Sequence, residues 1–311
     1  MLPEVKTLLD MMAAQEGPEL VDLPVAEMRA AYAAMGPVID VPGRDVARVE
    51  DLSIPGPGGE IALRLYDPTP EASAPTRAVV FYHGGGFVIG DLDSHDSFAR
   101  RLAEGLTLPV IAVNYRLAPE HAFPAAADDS LAATQWAADH LAFKLGREIS
   151  GLIVCGDSAG GNLAAVVAQD MAAAGSKAID LQVLLYPVTD LAREYPSHSA
   201  HSEGKMLERK AMEYFKDAYD PGRKNIENPR LSPLFATDYA GLPPAVVVVA
   251  ELDPLHDEGL VYADKLKAAG VPVKVRDEAG IIHGFYSMRG ALPTAEKLTD
   301  EMMADVKAAL T

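Results

Sequence analysis

Leu152-Ile153-Val154-Cys155-Gly156-Asp157-Ser158-Ala159-Gly160 is the stretch that decides the fold. Its apolar start suits a buried strand, and the Ala-rich run from Asn162 to Ala174 suits a helix. Between them is a sharp turn with a serine at its apex. A side chain at Gly156 or Gly160 would collide with the neighbouring strand and helix, and the turn forces Ser158 into a strained backbone conformation. The expected element is a nucleophile elbow. It holds a hydroxyl clear of the sheet, with a helix N-terminus behind it to favour developing negative charge. Gly-x-Ser-x-Gly alone arises often by chance; its place between strand and helix is what carries information.

Working outward, seven further stretches read as strands: Val46 to Ile54, Ile61 to Tyr66, Ala78 to Tyr82, Val110 to Asn114, Leu181 to Leu185, Ala245 to Ala250 and Val271 to Val275. Pro55-Gly56-Pro57-Gly58-Gly59 turns the first into the second as a hairpin. Helical stretches separate most of the later strands: Ser97 to Gly105, Ala125 to Leu145, Ser158 to Ala174 and Leu260 to Ala269, with a final one from about Thr294 to Leu310. That alternation predicts right-handed crossovers and an eight-stranded, mostly parallel α/β sheet with helices on both faces. The whole chain, 1–311, reads as one domain. Val271 to Val275 would be an exposed edge, and such an edge invites pairing with a second copy.

Composition narrows the function. With 311 residues and 49% hydrophobic content, the chain can bury a large core. A net charge of −18 argues against nucleic acid and anionic membrane surfaces as partners. There is one cysteine, Cys155, so no intramolecular disulfide forms. The start lacks a basic region followed by an apolar core, and no apolar run approaches a membrane span. A cytoplasmic protein is expected.

The strand Ala78 to Tyr82 ends in His83-Gly84-Gly85-Gly86-Phe87, where consecutive glycines leave backbone N–H groups open to an anion. Gly84, Gly86 and Gly90 also follow a strand as a dinucleotide loop would. They miss that spacing, however, and the next strand ends in Asn114-Tyr115-Arg116 without an acid for a ribose. In an acyl-transfer site the loop would join Ala159 N–H in an oxyanion hole. A serine nucleophile needs a base, and the base an orienting carboxylate. His283 and Asp253 both follow strands that end on the same edge as Ser158. Glu251 and Asp257 are the alternatives for the acid. No histidine pair has metal-ligand spacing, so no metal and no cofactor are expected.

Taken with Tyr115-Arg116-Leu117-Ala118-Pro119-Glu120, Phe123-Pro124-Ala125-Ala126, Ser232-Pro233-Leu234, Asp253-Pro254-Leu255 and His283-Gly284-Phe285, these motifs resemble the hormone-sensitive-lipase family of α/β-hydrolases, in its microbial carboxylesterase branch. The resemblance spans nearly the whole chain and departs only in detail, with His256 where the family often has arginine and Ala122 where it often has proline. It implies Ser158 as nucleophile, His283 as base, Asp253 as orienter, and Gly84, Gly85 and Ala159 as oxyanion donors. It further implies ester hydrolysis, and the mixed polar and apolar pattern of the two segments expected to cap the site predicts a bounded pocket for short- to medium-chain acyl groups. The rivals are a non-catalytic small-molecule-binding protein on the same fold, or an amidase or thioesterase using the same site.

The resemblance also implies a cap formed by residues 1 to about 40 and about 186 to 242. In the first segment Met11, Met12, Met28 and Met35 alternate with Glu4, Glu16, Glu19, Asp22 and Glu27, in helical patterns broken at Pro18 and Pro24. It reads either as helices packed on the body or as an adaptable cover over an acyl pocket. The second lacks a clear strand and has one helical stretch, Lys210 to Tyr219. Among the remaining polar residues, His83 is expected to brace the glycine loop, Asp157 to order the elbow, and Arg116 with Glu120 to form a structural pair beneath the site.

Overall fold

A computed structural model describes residues 1–14 and 17–311. All eight strands form: β1 Arg48–Gly56, β2 Gly59–Asp67, β3 Thr76–Tyr82, β4 Val110–Asn114, β5 Ile149–Asp157, β6 Ile179–Leu185, β7 Ala245–Leu252 and β8 Val273–Ile282. They make one sheet in the order β1-β2-β4-β3-β5-β6-β7-β8. The β1–β2 hairpin closes between Gly56 and Gly59, and β2 also runs antiparallel to β4. Every later pair is parallel. The arrangement is the α/β-hydrolase sheet, eight-stranded and mostly parallel.

Side chains alternate across the pleat and feed two cores. Val80, Val154, Leu184 and Val247 face a core completed by Ala137 of α4 (Ala125–Leu145), Leu163 of α5 (Ala159–Ala173) and Leu266 of α8 (His256–Ala268). Val79, Phe81, Ile153, Val183 and Val246 face the other, with Phe98 of α3 (Asp96–Leu106) and Met302 of α9 (Pro293–Ala309). Val246 to Val249 of β7 are wholly buried. Each such side chain contributes on the order of 1.5–3 kcal/mol, which is why a two-sided strand reads as an unbroken apolar run.

Three expectations need correction. β8 begins at Val273, not Val271, which is itself buried, and it continues to Ile282. Its charged middle hid it from the pattern. Arg276 is held there by Glu278 and by Glu301 and Asp305 of α9, so this strand face is filled by ion pairs and not by apolar groups. Arg116 and Glu120 do not pair with each other. Arg116 forks onto buried Asp129, with Nε and Nη2 each at 2.8 Å, while Glu120 takes Arg29 at 2.7 Å.

The third correction concerns the first cap segment. Helix α1 (Pro3–Ala13) buries Val5 and Leu8 in the core beside α9, its Glu4 accepts from Thr294 N–H at 3.1 Å, and Leu2 N–H donates to Gly280 O of β8 at 2.9 Å. It belongs to the body. Residues 15 and 16, and with them the Glu16 of the expected polar face, lie outside the described residues. Helix α2 (Val25–Ile39) lies toward the glycine loop, where Arg29 donates to Val88 O at 2.8 Å and Ala118 O at 3.0 Å. In the second segment α7 (Arg209–Tyr219) is the expected helix, preceded by a short α6 (Pro196–His201) that the pattern did not show. Lys210 of α7 reaches Glu19 at 3.1 Å and Asp22 at 2.7 Å, tying the two segments together.

Candidate active site

β5, β6, β7 and β8 are consecutive parallel neighbours, so the residues that follow β5, β7 and β8 share one edge of the sheet. This is the edge where open parallel sheets place their sites. At the end of β5, Ser158 adopts φ 54° and ψ −116°, a left-handed conformation rare outside glycine. The neighbours leave no room to relax. A Cβ on Gly156 would lie 2.2 Å from Gly160 O, and one on Gly160 would lie 1.9 Å from Tyr82 O. The elbow's glycines are therefore required by backbone contact on both sides.

His283 follows β8 and Asp253 follows β7. Asp253 is fully buried; its Oδ1 accepts from Leu255 N–H at 2.8 Å, and its Oδ2 lies 2.6 Å from His283 Nδ1. An ionised carboxylate only accepts, so Nδ1 carries the ring proton and Nε2 is left bare. Nε2 lies 2.9 Å from Ser158 Oγ, which can donate to it. Ser158, His283 and Asp253 thus form a continuous chain, in a site where Ser158 is 8% and His283 9% exposed. The alternative acids point elsewhere: Glu251 accepts from Gly280 N–H at 2.6 Å, and Asp257 from Ser197 N–H at 2.9 Å.

Sequence reasoning missed Tyr186, which directly follows β6. Its φ is 35°, its ring lies 4.8 Å from that of His283, and its buried hydroxyl has no partner among the described residues. Burial raises its pKa well above the ordinary tyrosine value. The Tyr186-Pro187 pair after an apolar strand was the available signal, and nothing in the spacing linked it to His283.

The oxyanion loop requires a change to the expected donor set. Gly84 N–H donates to Asp157 Oδ1 at 2.8 Å, so it is committed to the body of the protein. The N–H groups of Gly85 (φ 115°) and Gly86 (φ 59°) take no acceptor among the described residues. Ala159 is the first residue of α5, where N–H groups lack helical acceptors. Gly85, Gly86 and Ala159 therefore offer open N–H groups, and Gly84 of the expected set does not. The ring of Phe215, from α7, lies directly over Gly86, where a Cβ would come within 2.3 Å of it.

His83 is engaged by the loop and by Tyr115. Its Nδ1 lies 2.7 Å from Gly84 O, and its ring stacks on Tyr115 at 4.3 Å. Burial, with His95 beside it, lowers its pKa to about 4, so it is neutral near pH 7. Among the described residues no group of three or more His, Cys, Asp or Glu side chains is placed to hold a metal. None of their helices is long and apolar enough to cross a membrane.

Known proteins resemble this chain in sequence and in fold. Residues 79–287 match a family model described as alpha/beta hydrolase fold. An esterase of Mycobacterium tuberculosis, LipI, is 41% identical over 85% of this chain and 82% of its own length. An ethyl acetate hydrolase of Pseudomonas putida is 40% identical over 80% of this chain and 79% of its own. An ester hydrolase from the Lake Arreo metagenome, solved with a derivative of bipyridine phosphonate, superposes with a TM-score of 0.95. It is 43% identical and the match covers 99% of this chain and 98% of that one. On sheet order, elbow and these matches together, the chain belongs to the hormone-sensitive-lipase-like family of α/β-hydrolases.

Proposed function

We propose that the protein is a serine carboxylesterase acting on esters with short- to medium-chain acyl groups. The observation that carries this is the unbroken relay Asp253–His283–Ser158, at 2.6 and 2.9 Å, on a strained elbow. Ser158 Oγ attacks the ester carbonyl as His283 Nε2 takes its proton, while Asp253 stabilises the imidazolium. The tetrahedral oxyanion rests on the N–H groups of Gly85, Gly86 and Ala159, supported by the N-terminus of α5. Collapse expels the alcohol, protonated by His283. Water then repeats the sequence on the acyl-enzyme and releases the acid. His283 is part of this relay, so the site is equipped for turnover and not only for binding.

The cap in this proposal comprises α2 and the α6–α7 segment. Phe215 over Gly86, and the ties from Lys210 to Glu19 and Asp22, support an enclosure over the oxyanion loop. Each acyl methylene gains about 0.8 kcal/mol while it finds buried surface, and nothing once the enclosure is full. We expect kcat/KM to peak at short to medium chains across a series of soluble and emulsified esters, with amide and thioester analogues run alongside. A preference for long-chain emulsified triglyceride, or for the amide, would contradict the assignment. The relative named for ethyl acetate hydrolysis is consistent with a small acyl group.

A homodimer through β8 is a further part of the proposal. β8 ends the sheet on one side, and its residues Val273 to Asp277 are at least partly exposed. Light scattering after size exclusion should give twice the chain mass, and Val275→Pro should halve it; a monomer at all concentrations would remove this element. Cytoplasmic location is proposed on the single, buried cysteine.

A further inference from the structure

A patch of buried polar groups beneath the glycine loop takes no part in the relay. Asp157, His83 and His95 are each at most 6% exposed, and Nε2 of both histidines is buried without a hydrogen-bond partner among the described residues. His95 Nε2 lies 3.7 Å from Asp157 Oδ1, and the two imidazole rings are 5.3 Å apart. A buried carboxylate so near a developing oxyanion is an electrostatic cost, so its position calls for a compensating role.

The loop geometry supplies one. Gly84 O can only accept, so the 2.7 Å contact with His83 Nδ1 places the ring proton there. A trans peptide holds its C=O and N–H antiparallel. Fixing Gly84 O toward His83 therefore turns Gly85 N–H the opposite way. On the other side of the same residue, Asp157 Oδ1 takes Gly84 N–H at 2.8 Å. Asp157 immediately precedes Ser158, so the loop and the nucleophile are joined through one side chain.

We propose that Asp157 is a positioning residue for the oxyanion hole: its carboxylate clamps Gly84 N–H and so sets the loop that presents Gly85 and Gly86 in register with Ser158. His95 supports the clamp by lying against the carboxylate. Burial opposes ionisation of Asp157, but the neighbouring His95 and the Gly84 N–H outweigh it and hold its carboxyl below the usual range. The clamp is thus kept as an acceptor near neutral pH. The inference deepens the esterase assignment and rests on it.

The test compares a trifluoromethyl ketone, which adds Ser158 and presents an oxyanion, with its unfluorinated counterpart, which remains trigonal. The native protein should prefer the fluorinated ketone strongly. Asp157→Ala should lower kcat about 100-fold, as loss of an oxyanion donor does, and shrink that preference by a similar factor while KM changes by less than about threefold. Asp157→Asn keeps an acceptor oxygen and should recover kcat to within about tenfold of native. Equal ketone preference in native protein and D157A overturns the clamp, as does a D157N variant as impaired as D157A. Should D157A not accumulate in folded form, exchange of the Gly84 amide in the native protein decides. Strong protection supports the clamp, and exchange within seconds overturns it. If the native protein neither hydrolyses esters nor distinguishes the two ketones, both the clamp and the function proposed above fail together.

Discussion

Ser158→Ala is expected to lower kcat by roughly 10⁴- to 10⁶-fold, His283→Ala by a similar factor, and the double variant little more than either. The reason is the geometry of a single relay. With Ser158 Oγ 2.9 Å from His283 Nε2, the base has no use without the nucleophile, and the nucleophile has no means of losing its proton without the base. Asp253→Asn should be severe but milder, because an amide can offer an N–H toward Nδ1 and favour the wrong tautomer. Circular dichroism should remain native in all of them, since each removes few packing contacts. Additive losses in the double variant would show that Ser158 and His283 act separately. A Glu251→Gln variant more damaged than Asp253→Asn would move the acid to Glu251.

The second large effect is steric. Gly160→Ala places a Cβ 1.9 Å from Tyr82 O and 2.7 Å from His83 O, both backbone atoms at the point where β3 passes into the oxyanion loop. Neither can move as a flexible side chain would. Overpacking of this kind costs about 1–3 kcal/mol or more, and displacing a reacting group by about 1 Å can cost 100-fold in rate. G160A should therefore lose at least about 100-fold in kcat and melt several degrees lower, or fail to accumulate. Native Tm and native kcat in G160A would contradict the elbow geometry described here.

The parts of this molecule that were legible in the sequence are those set by local rules. Val246 to Val249 announced a strand buried on both faces, and Gly156 and Gly160 announced a turn that admits no Cβ. The order of strands then brought Ser158, Asp253 and His283 to one edge, since parallel strands end together. What stayed hidden depends on pairs far apart in the chain. The middle of β8 is charged, with Glu301 and Asp305 of α9 partnering Arg276, so period-two hydrophobicity stops at Val275 while the strand continues to Ile282. Arg116 and Glu120 are four residues apart and of opposite charge, yet their partners, Asp129 and Arg29, come from α4 and α2. Consecutive glycines showed that an N–H cradle was available, but not that Asp157 had already taken the first of its donors. Tyr186 became relevant only when β6 and β8 were placed so that its ring lies against His283.

The most direct test of the central claim is covalent. An alkyl phosphonate bearing a good leaving group should react with the native protein at one site, since only a serine activated by a neighbouring base attacks it at a useful rate. Digestion and mass spectrometry should place the adduct on Ser158, in one-to-one stoichiometry with loss of ester hydrolysis, and His283→Ala should abolish labelling. An adduct on another residue, or full ester hydrolysis by protein that takes no label, would contradict the assignment.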